Sequence, residues 1–301
     1  MAPTIKAVYV GYSVPCYPGT FDQCLENVLQ AGFNLIALAF WIDPTNGPDP
    51  PGAAAMWVAL TPTQRTNVLT LAHNTYNAKI IVSCGGSSYG GNAQTDYILG
   101  QDVAYGTGVA NFVNTYNLDG ADFDFEGFLG QFTTPSGLTT AQAISWCVTA
   151  TTTAYNLMPP GSIITHAPQA PFFVFSNFAS GYTQIAMQID SILFALLIQY
   201  YNQGTAYLDY AGQFIEEVQQ PQSAIAGLVA QGLPIGKLVI GRPIDAPDAG
   251  GGGYVDPAVI HQWFVQASTD PAAGNWATGF SLWQWRYDAP TAADFLQTVY
   301  P

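Results

Sequence analysis

Residues 119–127 (DGADFDFEG) place three acidic side chains in alternation with aromatic ones. Successive side chains of a β-strand point to opposite faces, so Asp122, Asp124 and Glu126 share one face and the two phenylalanines share the other. We predict a strand over residues 120–126. Its phenylalanines pack outward against helices, and its carboxyl groups point inward, each about 6–7 Å from the next along the strand.

Seven further segments are short and rich in β-branched or aromatic residues, which is typical of strands. They cover residues 5–11, 34–41, 79–84, 162–167, 192–201, 236–241 and 278–285. Longer segments with helical patterns lie between and after the strands, at residues 20–31, 61–76, 97–116, 139–156, 180–189, 207–231, 255–267 and 290–299. Thr61-Pro62 and Thr139-Thr140 are typical helix starts.

Eight strands, each followed by a helix, predict an α/β fold of the single (β/α)8 TIM-barrel type. The strands are almost continuously apolar, as in a parallel sheet that helices cover on both sides. A doubly wound sheet is the alternative, but no glycine-rich phosphate-binding turn follows an early strand. We expect residues 1–301 to form one catalytic domain, without an inserted α+β domain or a carbohydrate-binding module.

Two long loops follow predicted strands and therefore lie on the carboxyl-terminal face, which carries the active site of such barrels. They are residues 42–60 and the glycine-rich residues 243–254. A flexible surface connection without a role in function is an equally good interpretation of the glycine-rich run.

The composition excludes some classes of partner. The 301 residues include 6 Lys and Arg against 20 Asp and Glu, for a formal net charge of −14. Nucleic acid and anionic membranes both need a basic surface, so neither is an expected partner, whereas a neutral sugar is not disfavoured. No apolar run reaches the roughly 18 residues that span a bilayer. The first residues do not resemble a signal peptide, which leaves a cytoplasmic location or an extracellular one after removal of a leader.

The four cysteines are too few for a disulfide scaffold. Cys16 and Cys24 lie close together and can pair, whereas Cys84 and Cys147 stand in apolar segments typical of buried thiols. The chain has no CxxC motif and its three histidines are scattered. We therefore expect no zinc site, and no cofactor.

The acidic strand indicates acid–base chemistry. Three like charges in a confined interior cannot all ionise, so at least one carboxyl group keeps its proton and can serve as a general acid. Glu126 lies nearest the mouth of the barrel. The segment is not a calcium-binding loop of the EF-hand type, because such a loop needs Glu at its twelfth position and the twelfth residue from Asp122 is Thr133. A magnesium site and a solvated edge strand stay open as alternatives.

The segment DGADFDFEG resembles the DGxDxDxE signature of glycoside hydrolase family 18, the chitinases and endo-β-N-acetylglucosaminidases, with every fixed position kept. Four other segments resemble family motifs in the same order along the chain: KIIVSCGG (79–86), HAPQAPF (166–172), LIQYYNQ (197–203) and GFSLWQW (279–285). The layout is most similar to the hevamine-like chitinases, which lack an inserted domain. An open cleft of this kind favours endo cleavage.

The resemblance implies a retaining, substrate-assisted mechanism. Glu126 protonates the glycosidic oxygen and later activates water, and the 2-acetamido group of the substrate is the nucleophile. Asp124 orients the acetamido N–H and stabilises the oxazolinium intermediate. Asp122 shares a proton with Asp124, and Tyr201 donates a hydrogen bond to the acetamido oxygen.

The resemblance also implies substrate-binding residues: Trp283, Gln169, Gln199, Tyr9 and Phe40. Of Trp283 and Trp285 we expect only one to face inward, and the motif selects Trp283 as the floor beneath the distorted sugar. Core packing is an equally good account of Tyr9 and Phe40. We interpret His166, on the fifth strand near the barrel interior, as a structural residue.

These inferences predict an endo-hydrolase of β-1,4-linked N-acetylglucosamine, with chitin as the substrate. An endo-β-N-acetylglucosaminidase that cuts the chitobiose core of N-glycans is the alternative within the same chemistry. A non-catalytic chitin-binding lectin or inhibitor is the alternative of another class. Such relatives characteristically lose the acid, whereas Glu126 is present.

Overall fold

The structure is a computed structural model that describes residues 4–11, 19–86, 99–126, 138–288 and 291–301. Nine strands are present in this part of the chain. They are β1 (Ile5–Val10), β2 (Leu35–Asp43), β3 (Gly47–Pro48), β4 (Lys79–Gly85), β5 (Gly120–Asp124), β6 (Ile163–His166), β7 (Leu193–Gln199), β8 (Leu238–Pro243) and β9 (Gly279–Trp283).

The strands form a closed barrel. Neighbouring strands follow the order β1-β9-β8-β7-β6-β5-β4-β2, and β1 also pairs with β2, which closes the ring. Every pairing within the ring is parallel, and only the two-residue β3 runs antiparallel, against β2. The predicted (β/α)8 barrel is therefore confirmed.

Eleven α-helices surround the barrel in the described ranges. They are α1 (Phe21–Gln30), α2 (Ala53–Ala59), α3 (Pro62–Thr75), α4 (Asp102–Tyr116), α5 (Thr140–Leu157), α6 (Phe175–Phe178), α7 (Gly181–Gln188), α8 (Tyr210–Phe214), α9 (Ile225–Ala230), α10 (Pro257–Ala267) and α11 (Ala292–Val299). Thr61 and Thr139 cap α3 and α5 as predicted, each accepting a hydrogen bond from a backbone N–H of the first turn. No described helix is both long and apolar enough to cross a membrane.

Two apolar cores lie on either side of the strands. The outer core, between strands and helices, contains Phe123 and Phe125 of the acidic segment. The inner core fills the barrel and includes Ala7, Tyr9 and Leu197. This division is the one that the alternation of residues 122–126 predicts, because outward phenylalanines leave the acidic side chains facing the interior.

Two predicted elements differ from the structure. The predicted helix over residues 207–231 is two short helices, α8 and α9, since Pro221 cannot supply a helical N–H and Gln222 has a positive φ of 72°. The predicted loop over residues 42–60 contains β3 and α2. Both β3 and α2 follow β2 in the chain and pack at its carboxyl-terminal end.

Candidate active site

The deepest acidic side chain, Asp122, is fully buried and held by three hydroxyl groups. Tyr9 Oη and Ser83 Oγ donate to Asp122 Oδ2 over 3.0 and 2.8 Å, and Thr165 Oγ1 donates to Oδ1 over 2.7 Å. Strand register explains the arrangement, because Ser83, Asp122 and Thr165 are direct neighbours across β4, β5 and β6. Both carboxylate oxygens are thus fixed by donors from three different strands.

Asp124 and Glu126 each accept a hydrogen bond from a glutamine side-chain amide. Gln199 Nε2 lies 2.8 Å from Asp124 Oδ1, and Gln169 Nε2 lies 3.2 Å from Glu126 Oε2. Gln169 and Gln199 also pair with each other in a parallel β-bridge that extends β6 and β7. Asp124 is 3% exposed, whereas Glu126, just beyond the end of β5, is only half-buried. Glu126 is therefore the acid that a ligand at the mouth can reach.

Burial is the main cause that raises the pKa of all three carboxyl groups. For Asp122 the three hydroxyl donors oppose the rise in pKa. For Asp124 the neighbouring charges of Glu126 and Asp122 raise the pKa further, to well above its usual range, and only the Gln199 amide opposes them. The three donors thus favour the ionised form of Asp122, whereas the two neighbouring charges disfavour the ionised form of Asp124. No hydrogen bond joins the two carboxyl groups in the described residues.

Aromatic side chains form a floor opposite Glu126. Trp283, at the end of β9, is half-buried and stacks on Phe40 with ring centroids 5.9 Å apart and planes 24° apart. The Tyr9 ring also contacts Trp283, at 5.8 Å. Trp285 instead packs in the outer core against Phe33. Residues two apart on a strand share a face, but β9 ends at Trp283, so the two tryptophans separate.

Gly86, at the end of the KIIVSCGG motif, leaves space for the Phe40 ring of this floor. Gly86 follows β4 with a φ of +83°, and its backbone N–H donates to the Asp124 carbonyl over 2.8 Å. A Cβ atom at Gly86 would lie 2.8–2.9 Å from the Phe40 ring, closer than carbon atoms approach in practice. Only glycine both adopts this conformation and lets Phe40 lie beneath Trp283.

The loop after β8 packs on the segment that carries Tyr201. Tyr201 is 7% exposed, and its pKa is raised well above its usual range by burial and then by the charges of Asp124 and Glu126, so its hydroxyl stays protonated as a donor. A Cβ atom at Gly253 would lie 2.4 Å from the Tyr201 Cα atom. Backbone hydrogen bonds of 2.7 and 2.8 Å join residues 202 and 204 to residues 252 and 251. The glycine-rich run is therefore a close-packed support, not a free connection.

Two arginines hold this region, and sequence analysis did not identify either. Arg242, only 1% exposed, donates to the carbonyls of Tyr200, Tyr207 and Gly253 over 2.6–2.9 Å, and burial lowers its pKa to about 9. Arg286, beyond Trp283, pairs with Asp245 and with Asp248, the latter at 2.8 Å. Together they tie the loop after β8 to the ends of β7 and β9.

The sequence analysis placed His166 near the barrel interior, but its side chain faces the surrounding helices. It pairs in register with the outward-facing Phe123, and its ring nitrogens lie 3.2 Å from the hydroxyls of Thr151 and Tyr182 on the surrounding helices. Burial lowers its pKa to about 3, so it is neutral at ordinary pH. The structural interpretation of this histidine holds, but on the other side of the sheet.

The cysteines divide as follows. Cys84 and Cys147 are free and buried, as predicted. Cys24 is disulfide-bonded, and Cys16, the partner considered from the sequence, lies outside the described residues. Among the described residues, no group of three or more His, Cys, Asp and Glu side chains has the arrangement of a metal site.

The structure therefore brings the acids, Tyr201, Trp283 and the two glutamines to one end of the barrel, with Tyr9 and Phe40 buried directly beneath. Both Tyr9 and Phe40 are less than a tenth exposed. Tyr9 and Phe40 therefore pack in the core and also support the site above them. Ser83 and Thr165 are two further polar contacts that the sequence analysis did not identify, because a single hydroxyl in an apolar strand carries no spacing signal.

Several solved structures that the chain resembles are chitinases. A family 18 chitinase from Pseudoalteromonas aurantia matches with a TM-score of 0.74 at 18% identity, over 98% of this chain and 99% of that one. The chitinase ChiC from Aspergillus fumigatus matches with a TM-score of 0.64 at 20% identity, over 96% of both chains. Concanavalin B, not named as a chitinase, matches with a TM-score of 0.59 at 14% identity, over 98% of both chains.

No protein-family model and no curated protein matches the sequence. At identities this low, similarity between structures concerns the fold and leaves function to the site itself. The chain has, over nearly its full length, the fold of the family 18 chitinases, as the resemblance of its motifs predicts.

Proposed function

We propose that the chain is a retaining endo-glycoside hydrolase of β-1,4-linked N-acetylglucosamine, with chitin as its substrate. One observation carries the proposal: a half-buried Glu126 with a raised pKa lies above two buried acids and across the barrel mouth from the Trp283 floor. A carboxyl group that keeps its proton near neutral pH is what a general acid requires. The chitinase fold of the chain supports the same conclusion.

In the first step, the Glu126 carboxyl donates its proton to the glycosidic oxygen as the bond from that oxygen to C1 breaks. The acetamido carbonyl oxygen of the same sugar attacks C1 from the opposite face and forms a cyclic oxazolinium ion. The leaving sugar departs as an alcohol carrying the proton. In the second step, ionised Glu126 takes a proton from water as the water oxygen attacks C1. The oxazolinium ring opens, which restores the acetamido group, and the configuration at C1 is retained.

The inner acids serve the acetamido group. Asp122, whose ionised form the three hydroxyl donors favour, lies deeper in the barrel than Asp124. When Asp124 passes its proton to Asp122, it accepts the acetamido N–H, and its charge stabilises the cationic intermediate. Tyr201, kept protonated by its raised pKa, donates to the acetamido oxygen.

An open cleft supports internal cleavage of a long chain. Residues 244–256 alone join β8 to α10, which leaves no inserted domain at this point to wall one side of the mouth. The proposal treats the chain as one catalytic domain. The endo-β-N-acetylglucosaminidase alternative uses the same acids and differs in the loops that receive the substrate.

The test compares Glu126→Gln with Glu216→Gln, which removes an exposed carboxylate of the loop after α8. Both variants and the unaltered chain are incubated with N-acetylglucosamine oligomers and with a high-mannose glycoprotein, and products are analysed by mass and anomeric form. We expect β-anomers from the oligomers, released by the chain and by Glu216→Gln, and no turnover by Glu126→Gln, which still binds oligomers. Release of the glycan alone would favour the alternative, and full turnover by Glu126→Gln would remove Glu126 from its role.

A further inference from the structure

We propose that Phe175 is a sugar-binding platform on the leaving-group side of the cleft, which stacks on an N-acetylglucosamine unit beyond the bond that is cleaved. This inference rests on the proposed function and extends it to the part of the chain that leaves. Phe175 is 71% exposed, the highest exposure among the aromatic side chains whose burial the structure describes.

Exposure by itself is ordinary for a single apolar side chain. Phe175 differs because the segment beneath it is anchored. Phe172, Phe173 and Val174 are all buried, and Phe172 stacks on Tyr182 with planes 14° apart at 6.0 Å. Backbone hydrogen bonds of 3.0 Å close the turns on both sides, from Val174 N–H to the Pro171 carbonyl and from Ala179 N–H to the Phe175 carbonyl. The ring is thus presented to solvent from a fixed backbone. Binding of a ligand therefore does not carry the entropy cost of ordering a loop.

The position of Phe175 follows from the order of strands. Trp283 ends β9 and Glu126 follows β5, and these strands lie on opposite sides of the barrel, separated by β6, β7 and β8 in one direction and by β1, β2 and β4 in the other. A line from Trp283 to Glu126 therefore crosses the mouth and leaves it over β5, which β4 and β6 flank. Phe175 lies in the loop after β6, and so does Gln169, which contacts Glu126.

The direction of the bound sugar chain assigns the subsite. The sugar over Trp283 supplies the acetamido nucleophile, and the oxygen at Glu126 joins it to the sugar that leaves. The next units continue past Glu126, toward the loop that carries Phe175. An aromatic face complements the apolar C–H face of a pyranose, so the ligand class is a β-1,4-linked N-acetylglucosamine unit presented face-on.

The experiment compares Phe175→Ala with Phe194→Ala, a matched truncation of an exposed phenylalanine near the start of β7, at the opposite end of the barrel. Two substrates are used: the N-acetylglucosamine hexamer, and a nitrophenyl glycoside of the disaccharide, whose leaving group is not a sugar. For Phe175→Ala we expect the ratio of kcat/KM for the hexamer to that for the nitrophenyl glycoside to fall about three- to tenfold, mainly through KM. We expect Phe175→Tyr to restore the ratio and Phe194→Ala to leave it unchanged.

The outcomes separate the platform from the proposed function. If the unaltered chain cleaves both substrates and Phe175→Ala has the same ratio as Phe194→Ala, the platform is wrong and the proposed function stands. If the unaltered chain cleaves neither substrate, the proposed function is wrong and the platform falls with it. Thermal unfolding of both variants is measured alongside, so that a loss of folded protein is not taken for a loss of the platform.

Discussion

Thr165 Oγ1 donates to Asp122 Oδ1 over 2.7 Å, from the strand next to the one that carries the acids. Tyr9 and Ser83 occupy the other oxygen, so this hydroxyl alone fixes the orientation of Oδ1 among the described residues. The relationship ties the charge at the bottom of the site to the register between β5 and β6. Hydrogen bonds to the charged form favour it, so the three hydroxyls oppose the rise in the Asp122 pKa that burial causes.

Removal of this hydroxyl should slow the reaction. Thr165→Val loses one of three donors to Asp122, so the ionised form of Asp122 is less stable and its pKa rises. Asp122 Oδ1 also loses the donor that fixes its orientation, so the acid pair is less well positioned beneath the acetamido group, and we expect kcat to fall about tenfold. Thr165→Ser retains the hydroxyl and should restore most of the activity. A Thr165→Val variant with unchanged kcat and pH profile would show that two hydroxyls suffice.

The pH profile should respond to Gln169. Its amide donates to Glu126 Oε2 and thereby lowers the pKa of that carboxyl group, against the rise caused by burial. Gln169→Met removes the donor, so the pKa of Glu126 rises and its acid form persists to higher pH. We expect the falling, alkaline side of the kcat/KM profile to move to higher pH. Gln184→Met, a change on an exposed face of α7, is the control and should leave the profile in place.

The strands and the acids were predictable from the sequence for a physical reason. A parallel sheet covered on both sides needs nearly continuous apolar strands, and such runs are visible without knowledge of their neighbours. Alternation within DFDFE then assigns Asp122, Asp124 and Glu126 to one face from local geometry alone. Helix starts at Thr61 and Thr139 are local signals of the same kind.

Contacts between distant segments could not be read in this way. The role of Thr165 depends on the register of β6 against β5, and the side of the sheet that His166 faces depends on the same register. Burial of Arg242 depends on three carbonyls that lie up to 42 residues away in sequence. The interruption between α8 and α9 reflects backbone conformation near Gln222, which the helical pattern of residues 207–231 conceals.

His166 should make the fold sensitive to acid. Its pKa in the folded chain is about 3, against about 6.5 when it is exposed in the unfolded chain. Between these values the unfolded state binds more protons, so the His166 contribution to the free energy of unfolding falls as pH decreases, by about 1.4 kcal/mol per pH unit. His166→Gln cannot titrate, although it is less stable at pH 7 through weaker contacts with Thr151 and Tyr182.

Urea denaturation of both proteins at several values between pH 7 and pH 4 measures this effect. The carboxyl groups of the site titrate in both proteins and cancel in the difference. We therefore expect the stability difference between the original chain and His166→Gln to shrink steadily on acidification. A difference that stays constant over this range would mean that His166 already takes up its proton in the folded state.

The support beneath Tyr201 can be tested with two glycines of one loop. Gly253 has a φ of +106° and its added Cβ would lie 2.4 Å from the Tyr201 Cα atom, whereas Gly250 faces open space. Gly253→Ala must therefore displace either the loop or Tyr201, and both changes move the tyrosine hydroxyl away from the acetamido group. We expect kcat to fall at least tenfold, because small misplacements of a positioning group are costly. Gly250→Ala should behave as the original chain, and equal activities of the two variants would show that Tyr201 does not need this loop.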